Sequence, residues 1–120
     1  MRHTGVIVGA LLFMACGRGG AFTNDVNTTP TIAEAERLIT DAQQAGADSL
    51  ATEAITIARL ALESARAFEQ GGRRSRAQVE ALRAQAEARY ARAVAERTLA
   101  EREQVRARDA LAALPPGGAQ

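Results

Sequence analysis

The stretch between Gly72 and Pro115 contains neither glycine nor proline, and it constrains the fold more than any other part of the chain. It is rich in alanine, arginine and glutamate, which have high helix propensity. Ser75 and Gln78 have the spacing of a capping box, so we predict one helix over 75–113. At 1.5 Å per residue such a helix is roughly 57 Å long. The composition indicates an all-α protein.

Small and apolar residues recur every seven positions along this helix, which predicts coiled-coil-like packing. The set consists of Val79, Ala86, Ala93, Ala100, Ala107 and Leu114, and Leu82, Tyr90, Val94 and Leu111 partly fill the companion positions. Arg89, Glu96 and Glu103 stand where a strict heptad requires apolar residues. We therefore expect this seam to pack inside the domain, with a weaker second half that projects or self-associates.

Two shorter helices are predicted ahead of the long one. Thr31 and Glu34 form another capping-box pattern, and apolar residues follow at helical spacing until Gly46. Gly71 and its neighbour Gly72 interrupt the next helical segment. The prediction is an antiparallel helical hairpin or three-helix coiled-coil-like bundle. Its helices cover 31–45, 49–70 and 75–113, in a domain over 31–114 that is followed by a disordered tail over 115–120.

The first fifteen residues have the order of a secretory signal peptide. A positively charged start, Met1-Arg2-His3, precedes an uncharged apolar run over 4–15. This run is too short to cross a bilayer as a helix, which needs roughly 20 residues. We therefore predict a cleavable signal over 1–15 and export of the chain.

Cys16 follows the small residue Ala15 at the end of this run, an arrangement that resembles the lipobox of bacterial lipoproteins. The resemblance implies that the thiol is acylated, that the chain is cut before it, and that the lipid holds the protein on a membrane. Two acyl chains give the stable anchoring that one chain does not. Phe13 and Met14 depart from the Leu and the Ala or Ser that are usual in that family.

The residues after Cys16 bear on location. Gly17 stands where Asp tends to retain Gram-negative lipoproteins at the inner membrane, so the outer membrane facing the periplasm is favoured. The Gly-, Asn- and Thr-rich segment up to residue 30 is predicted to be a flexible tether. Cleavage near Gly19-Gly20-Ala21 would instead give a soluble secreted protein.

The domain itself resembles a known family. A short Ala-rich helix that ends in Ala45-Gly46-Ala47-Asp48, a second helix with alanine every three residues, a glycine turn and a long Arg/Glu/Ala helix look like the domain of unknown function numbered 4398. The similarity covers 31–99 and implies an envelope location and a helical hairpin, with no catalytic residues to carry over. Thr52 stands where that family often has proline, and Gly71-Gly72 replaces its usual Gly-Asp turn.

The mature chain offers little for catalysis. His3 lies in the predicted signal, the chain has no lysine, and Cys16 is its only thiol, so the usual bases and nucleophiles are missing. No His/Cys cluster or Gly-rich phosphate loop is present. We therefore expect no enzyme activity, no cofactor and no metal site. Few aromatic residues are available to stack on bases, so nucleic acid is not an expected partner.

Arg73, Arg74 and Arg76 form the one sharp basic cluster. Two hypotheses stay open. In the first, the protein is a non-catalytic structural or interaction module that binds a partner protein or a second copy through the long helix. In the second, it is a ligand-binding module that holds peptidoglycan or anionic lipid through the three arginines. A solvated loop is the ordinary alternative for so short a charge run.

Overall fold

The computed structural model describes residues 27–117, which form four α-helices and no strand. The helices are α1 (Thr29–Gln44), α2 (Ala47–Leu50), α3 (Thr52–Gln70) and α4 (Arg74–Ala112). The predicted all-α class and the long final helix are thereby confirmed. The predicted signal peptide, Cys16, most of the tether and the last three residues of the tail lie outside the described residues.

The helices α1, α3 and α4 lie side by side, and α4 contacts both of the others. The Gln85 side-chain amide donates to the Thr31 carbonyl over 3.0 Å, so the first turn of α1 lies beside the first half of α4. Gln44 at the other end of α1 lines a shallow groove together with Leu99. The start of α1 thus lies beside an earlier part of α4 and the end of α1 beside a later part, so these two helices run in the same direction. The helix α3 runs antiparallel to both.

The core is built largely from alanine. The α4 face of the core consists of Ala77, Ala81, Ala84, Ala88, Ala91 and Ala95, each with no exposed surface. Their spacing alternates between four and three residues, which is a heptad repeat. Larger side chains come from the opposing helices, namely Ile32, Leu38, Ile39, Ile55 and Leu62. Small residues on α4 therefore allow close approach to two helices whose larger side chains fill the space.

The prediction of which face of α4 is buried was wrong. A seven-residue repeat is buried, but it lies on the opposite face from the predicted one. Val79, Leu82 and Tyr90 are 63%, 50% and 61% exposed. With 3.6 residues per turn, the predicted positions lie roughly half a turn from the buried alanines. The helix carries two heptad repeats on opposite faces. Packing selects the alanine face because α4 must approach α1 and α3 at once.

The predicted helix starts also differ from the structure. Thr28 is the N-cap of α1, so Thr31 lies inside the helix, and Pro30 takes the early position for which its fixed backbone angle is suited. Arg73 is the N-cap of α4, without a side-chain cap hydrogen bond, so the capping box predicted at Ser75 is absent. The single helix predicted over 49–70 is divided at Ala51, whose backbone angles are not helical.

The last part of α4 extends past its neighbours. Every residue from 99 to 117 is exposed. The positions that continue the alanine heptad beyond Ala95 are Thr98, Arg102, Val105 and Asp109, so the small-residue face ends where α1 and α3 offer nothing more to pack on. We call residues 99–112 the overhang. It is about 20 Å long at 1.5 Å per residue.

Candidate interaction surfaces

The outer face of α4 carries a line of apolar side chains that nothing within residues 27–117 covers. We call this line the outer stripe and define it as Val79, Leu82, Ala86, Tyr90 and Ala93, all of them exposed. The same face continues over the overhang with Ala100, Ala107 and Leu111. Single exposed apolar residues are ordinary on proteins, whereas an aligned series along one helix face is typical of an interaction surface.

Polar residues flank the outer stripe in a regular manner. Arg89 and Glu96 lie on one flank, and Arg97 lies on the other flank, on the side of Tyr90, as the 3.6-residue period requires. Arg92 Nε donates to Glu96 Oε1 over 2.7 Å, and Arg97 Nε donates to Glu101 Oε1 over 2.8 Å. These contacts raise the pKa of Arg92 and of Arg97 through the hydrogen bond to the carboxylate. The guanidinium groups of Arg92 and Arg97 are therefore charged at neutral pH.

A shallow apolar groove adjoins the stripe. It has a volume of about 420 Å³, and its apolar lining includes Leu50 and Ile57 on one side and Tyr90 and Val94 on the other. It lies where the break at Ala51 brings α2 and α3 against α4. Sequence reasoning missed this groove, because the break at Ala51 has no glycine or proline to mark it.

The three predicted arginines lie together at the turn between α3 and α4. Arg73, Arg74 and Arg76 surround an open concavity of about 530 Å³ with Gly72, which has φ of +71°. All three are exposed. The Arg76 guanidinium carbon lies 5.9 Å from the centre of the Phe68 ring, which is a cation–π distance.

Positive charge at this position does not favour the first turn of α4. A helix N-terminus carries a partial positive charge, so acidic residues stabilise it and basic residues do not. The first turn of α4 has no acidic residue. Within residues 27–117, no carboxylate forms an ion pair with Arg73 or Arg76. The cluster is therefore a concentration of positive charge on the surface.

The beginning of α1 lies at the same end of the domain as these arginines. The Thr28 hydroxyl donates to Glu69 Oε1 over 2.5 Å, and Thr28 is buried. Glu69 lies in the last turn of α3, four residues before Arg73. The sequence that precedes the domain therefore leaves it next to the arginine turn.

Ion pairs tie the bundle together elsewhere. Arg37 binds Glu34 through Nη2 over 2.7 Å and Asp41 through Nη1 over 2.7 Å. The hydrogen bond from Arg37 lowers the pKa of Glu34 below its ordinary value. Arg66 on α3 binds Glu36 on α1 over 2.6 Å. These pairs lie on the surface, so each contributes only about 0–1 kcal/mol.

The described part of the chain shows no arrangement that would hold a metal ion: no group of three His, Cys, Asp or Glu residues converges there. None of α1 to α4 is both long and apolar enough to span a bilayer. Gln85 is the one buried polar side chain of α4, and its amide is satisfied by the Thr31 carbonyl.

No family model matches the chain, and neither curated protein sequences nor solved structures gave a match. The resemblance of residues 31–99 to the domain of unknown function numbered 4398 therefore stays a prediction.

Proposed function

We propose that this protein is an exported lipoprotein of the cell envelope, anchored through Cys16, that acts as a non-catalytic interaction module by pairing with a second copy of itself. The observation that carries the pairing is the outer stripe of α4. The stripe lies on the face opposite the buried alanines, so a second copy can occupy it without displacing α1 or α3.

An antiparallel pair gives the best match between two such stripes. When the twofold axis passes beside Ala93, Ala86 lies opposite Ala100 of the second copy. By the same symmetry Val79 lies opposite Ala107 of the second copy. A larger side chain thus meets a small one, and alanine meets alanine at the centre, which permits the close approach that coiled-coil packing needs.

The flanking charges are also matched in the antiparallel pair. In the antiparallel pair Arg89 comes within one residue, about 1.5 Å along the axis, of Glu96 of the second copy. On the other flank Tyr90 comes equally close to Arg97 of the second copy, where a cation–π contact can form. In a parallel pair the flank with Arg89 and Glu96 would instead face the flank with Arg97, so the flanking charges do not separate the two arrangements.

The antiparallel pair also covers the overhang. Residues 99–112 of one copy then lie beside residues 74–87 of the other, so the part of α4 without neighbours in the monomer obtains a partner helix. Over 39 residues the helix offers more than five heptads. Coiled-coil pairing is favoured when the repeat continues over three to four heptads or more.

Sedimentation velocity of the mature chain over a concentration series tests the pairing. We expect a monomer–dimer equilibrium that Ala93→Glu shifts strongly towards monomer, because two carboxylates then meet at the twofold axis. Ala67→Glu is the matched control, since Ala67 is exposed on α3 away from the stripe. If the wild-type protein stays monomeric at every concentration, the proposed pairing is contradicted.

A charge exchange tests the antiparallel register. Arg89→Glu and Glu96→Arg should each weaken the dimer, and the double variant should recover most of the affinity because the pair is restored with reversed sign. Independent, additive losses in the double variant would show that these two residues do not meet.

The anchor is tested separately, by the intact mass of the protein extracted from membranes. A chain that begins at Cys16 and carries the mass of acyl groups supports the lipoprotein proposal. An unmodified chain that begins near Phe22 would contradict it and leave a secreted helical protein.

A further inference from the structure

We infer that Arg73, Arg74 and Arg76 form a docking surface for an anionic lipid membrane, with the phosphate groups of phospholipids as their ligands. The inference adds a second membrane contact to the lipid anchor. Its orientation rests on the proposed anchoring at Cys16, whereas the contact itself requires only the three arginines.

Charge is distributed unevenly between the two ends of the three-helix bundle. The end that contains the α3–α4 turn carries Arg66, Glu69, Arg73, Arg74, Arg76 and Glu80 within residues 66–80. At the other end Asp41 and Asp48 form ion pairs with Arg37 and Arg59, and Arg92 lies beside Asp41, so acidic and basic groups are matched there. The bundle therefore has one basic end, which an anionic surface attracts.

The basic end is also the end from which the preceding sequence departs. Thr28 bonds to Glu69 beside the arginine turn. Cys16 lies eleven positions before Asn27, so the two are separated by at most about 40 Å of chain. If the lipid is attached at Cys16, this short segment holds the domain by its basic end. The arginine turn is then the part of the domain nearest to the membrane.

The chemistry of the cluster suits phosphate. Guanidinium groups bind phosphate oxygens through two parallel hydrogen bonds, which an ammonium group cannot do. The open concavity beside Gly72 leaves the three groups accessible from solvent. One basic residue near an anionic membrane surface strengthens binding by about fivefold, so Arg73 and Arg76 alone should give roughly 25-fold at low salt.

Vesicle flotation with the unlipidated mature chain, residues 16–120 carrying Cys16→Ser, tests this contact without the anchor. We expect binding to vesicles that contain phosphatidylglycerol, none to vesicles of phosphatidylcholine alone, and a steady loss as sodium chloride is added. Equal binding to both kinds of vesicle, or to neither, would overturn the inference.

Two triple variants locate the contact. Binding to vesicles that contain phosphatidylglycerol should fall at least tenfold in the variant with Arg73→Gln, Arg74→Gln and Arg76→Gln. The control variant removes the same charge from the overhang of the same helix, and its binding should change little; it carries Arg102→Gln, Arg106→Gln and Arg108→Gln. If both variants lose binding equally, net charge alone acts and no docking surface exists.

Inorganic phosphate distinguishes a lipid surface from a site for free phosphate. At matched ionic strength, sodium phosphate should displace the protein from vesicles no more than sodium chloride does. Preferential displacement by phosphate would mean a discrete phosphate site and would overturn the lipid assignment. All of these measurements use unacylated protein at concentrations where sedimentation shows monomers. Their failure is therefore separable from failure of the intact-mass or sedimentation tests.

Discussion

Alanine at the buried positions of α4 sets the distance between three helices. Ala88 and Ala91 have no exposed surface, and both belong to the core that α1 and α3 complete with larger side chains. Any added methyl or methylene group at these positions must push a helix outward or force a strained rotamer. The same residue type on the outer stripe, as at Ala86, has solvent on its side.

A leucine substituted on each face of α4 tests this difference. Ala88→Leu should lower the free energy of unfolding by about 1–3 kcal/mol through overpacking. Ala86→Leu, two residues earlier on the opposite face, should change it by less than about 0.5 kcal/mol. Urea denaturation at low protein concentration, where monomers dominate, gives both values, and the reverse order would contradict the assignment of the buried face.

Glu34 gives the bundle a dependence on pH. Its pKa is lowered from the ordinary value of 4.5 because Arg37 donates hydrogen bonds to the carboxylate. A lowered folded-state pKa means stability that is present above the unfolded pKa and lost as the pH falls through the folded value. We expect the Tm of Glu34→Gln to fall less on acidification below 4.5 than that of the wild type.

The donor side of the same pair provides the control. Arg37→Gln removes the hydrogen bonds that lower the pKa of Glu34, so it should flatten the acid limb of the Tm profile at least as much. A profile with the steepness of the wild type in either variant would mean that another carboxylate dominates acid unfolding.

At the scale of the helices, a glycine follows α1 and another follows α3, and each lies in the turn that lets the chain change direction. Gly46 ends α1 with φ of +89°, and a Cβ placed there would lie 3.4 Å from Leu50 Cδ1. Residues with a side chain pay for this left-handed conformation. Gly71 has φ of −81°, which any residue can adopt.

Alanine substitutions at the two glycines should therefore differ. Gly46→Ala is expected to lower the free energy of unfolding by about 1–2 kcal/mol. Gly71→Ala should cost little, because alanine fits its backbone angles and reduces the entropy of the unfolded chain. Thermal unfolding followed by circular dichroism measures both, and an equal loss at the two positions would contradict the conformational explanation.

Helix content and boundaries were largely readable from the sequence, but the packed face of α4 was not. Glycine pairs and prolines marked the ends of α1, α3 and α4 to within a few residues. The face was chosen wrongly because Val79 and Leu82 are more apolar than Ala81 and Ala84, and apolarity guided the prediction. Which of two heptads is buried depends on the shape of the neighbours, which one helix alone does not specify. The split at Ala51 had no marker either.

At the scale of the molecule, the overhang links the monomer to the proposed pair. In the monomer every residue from 99 to 112 is exposed, and beyond Leu99 the helix extends past α1. Their backbone amides should then exchange hydrogen rapidly, because a helix end without tertiary contacts opens easily. Hydrogen exchange measured across a concentration series should show protection of this segment that rises as dimers form, while the protection of α3 stays constant. Protection of the overhang that is independent of concentration would count against the pairing.

The position at which the chain leaves the bundle determines how such a pair sits in an envelope. Each copy emerges beside its own arginine turn, and an antiparallel pair sends the two turns to opposite ends of a rod about 57 Å long. In the proposed lipoprotein the two lipid attachments then lie at opposite ends of one rod, so the rod lies along the bilayer instead of standing on it. Release of the pair from the membrane requires both attachments to detach together. While one attachment holds, it keeps the other at a high local concentration near the membrane, so a detached group binds again quickly. The residence time on the membrane would then depend on protein concentration, because a monomer has only one membrane attachment.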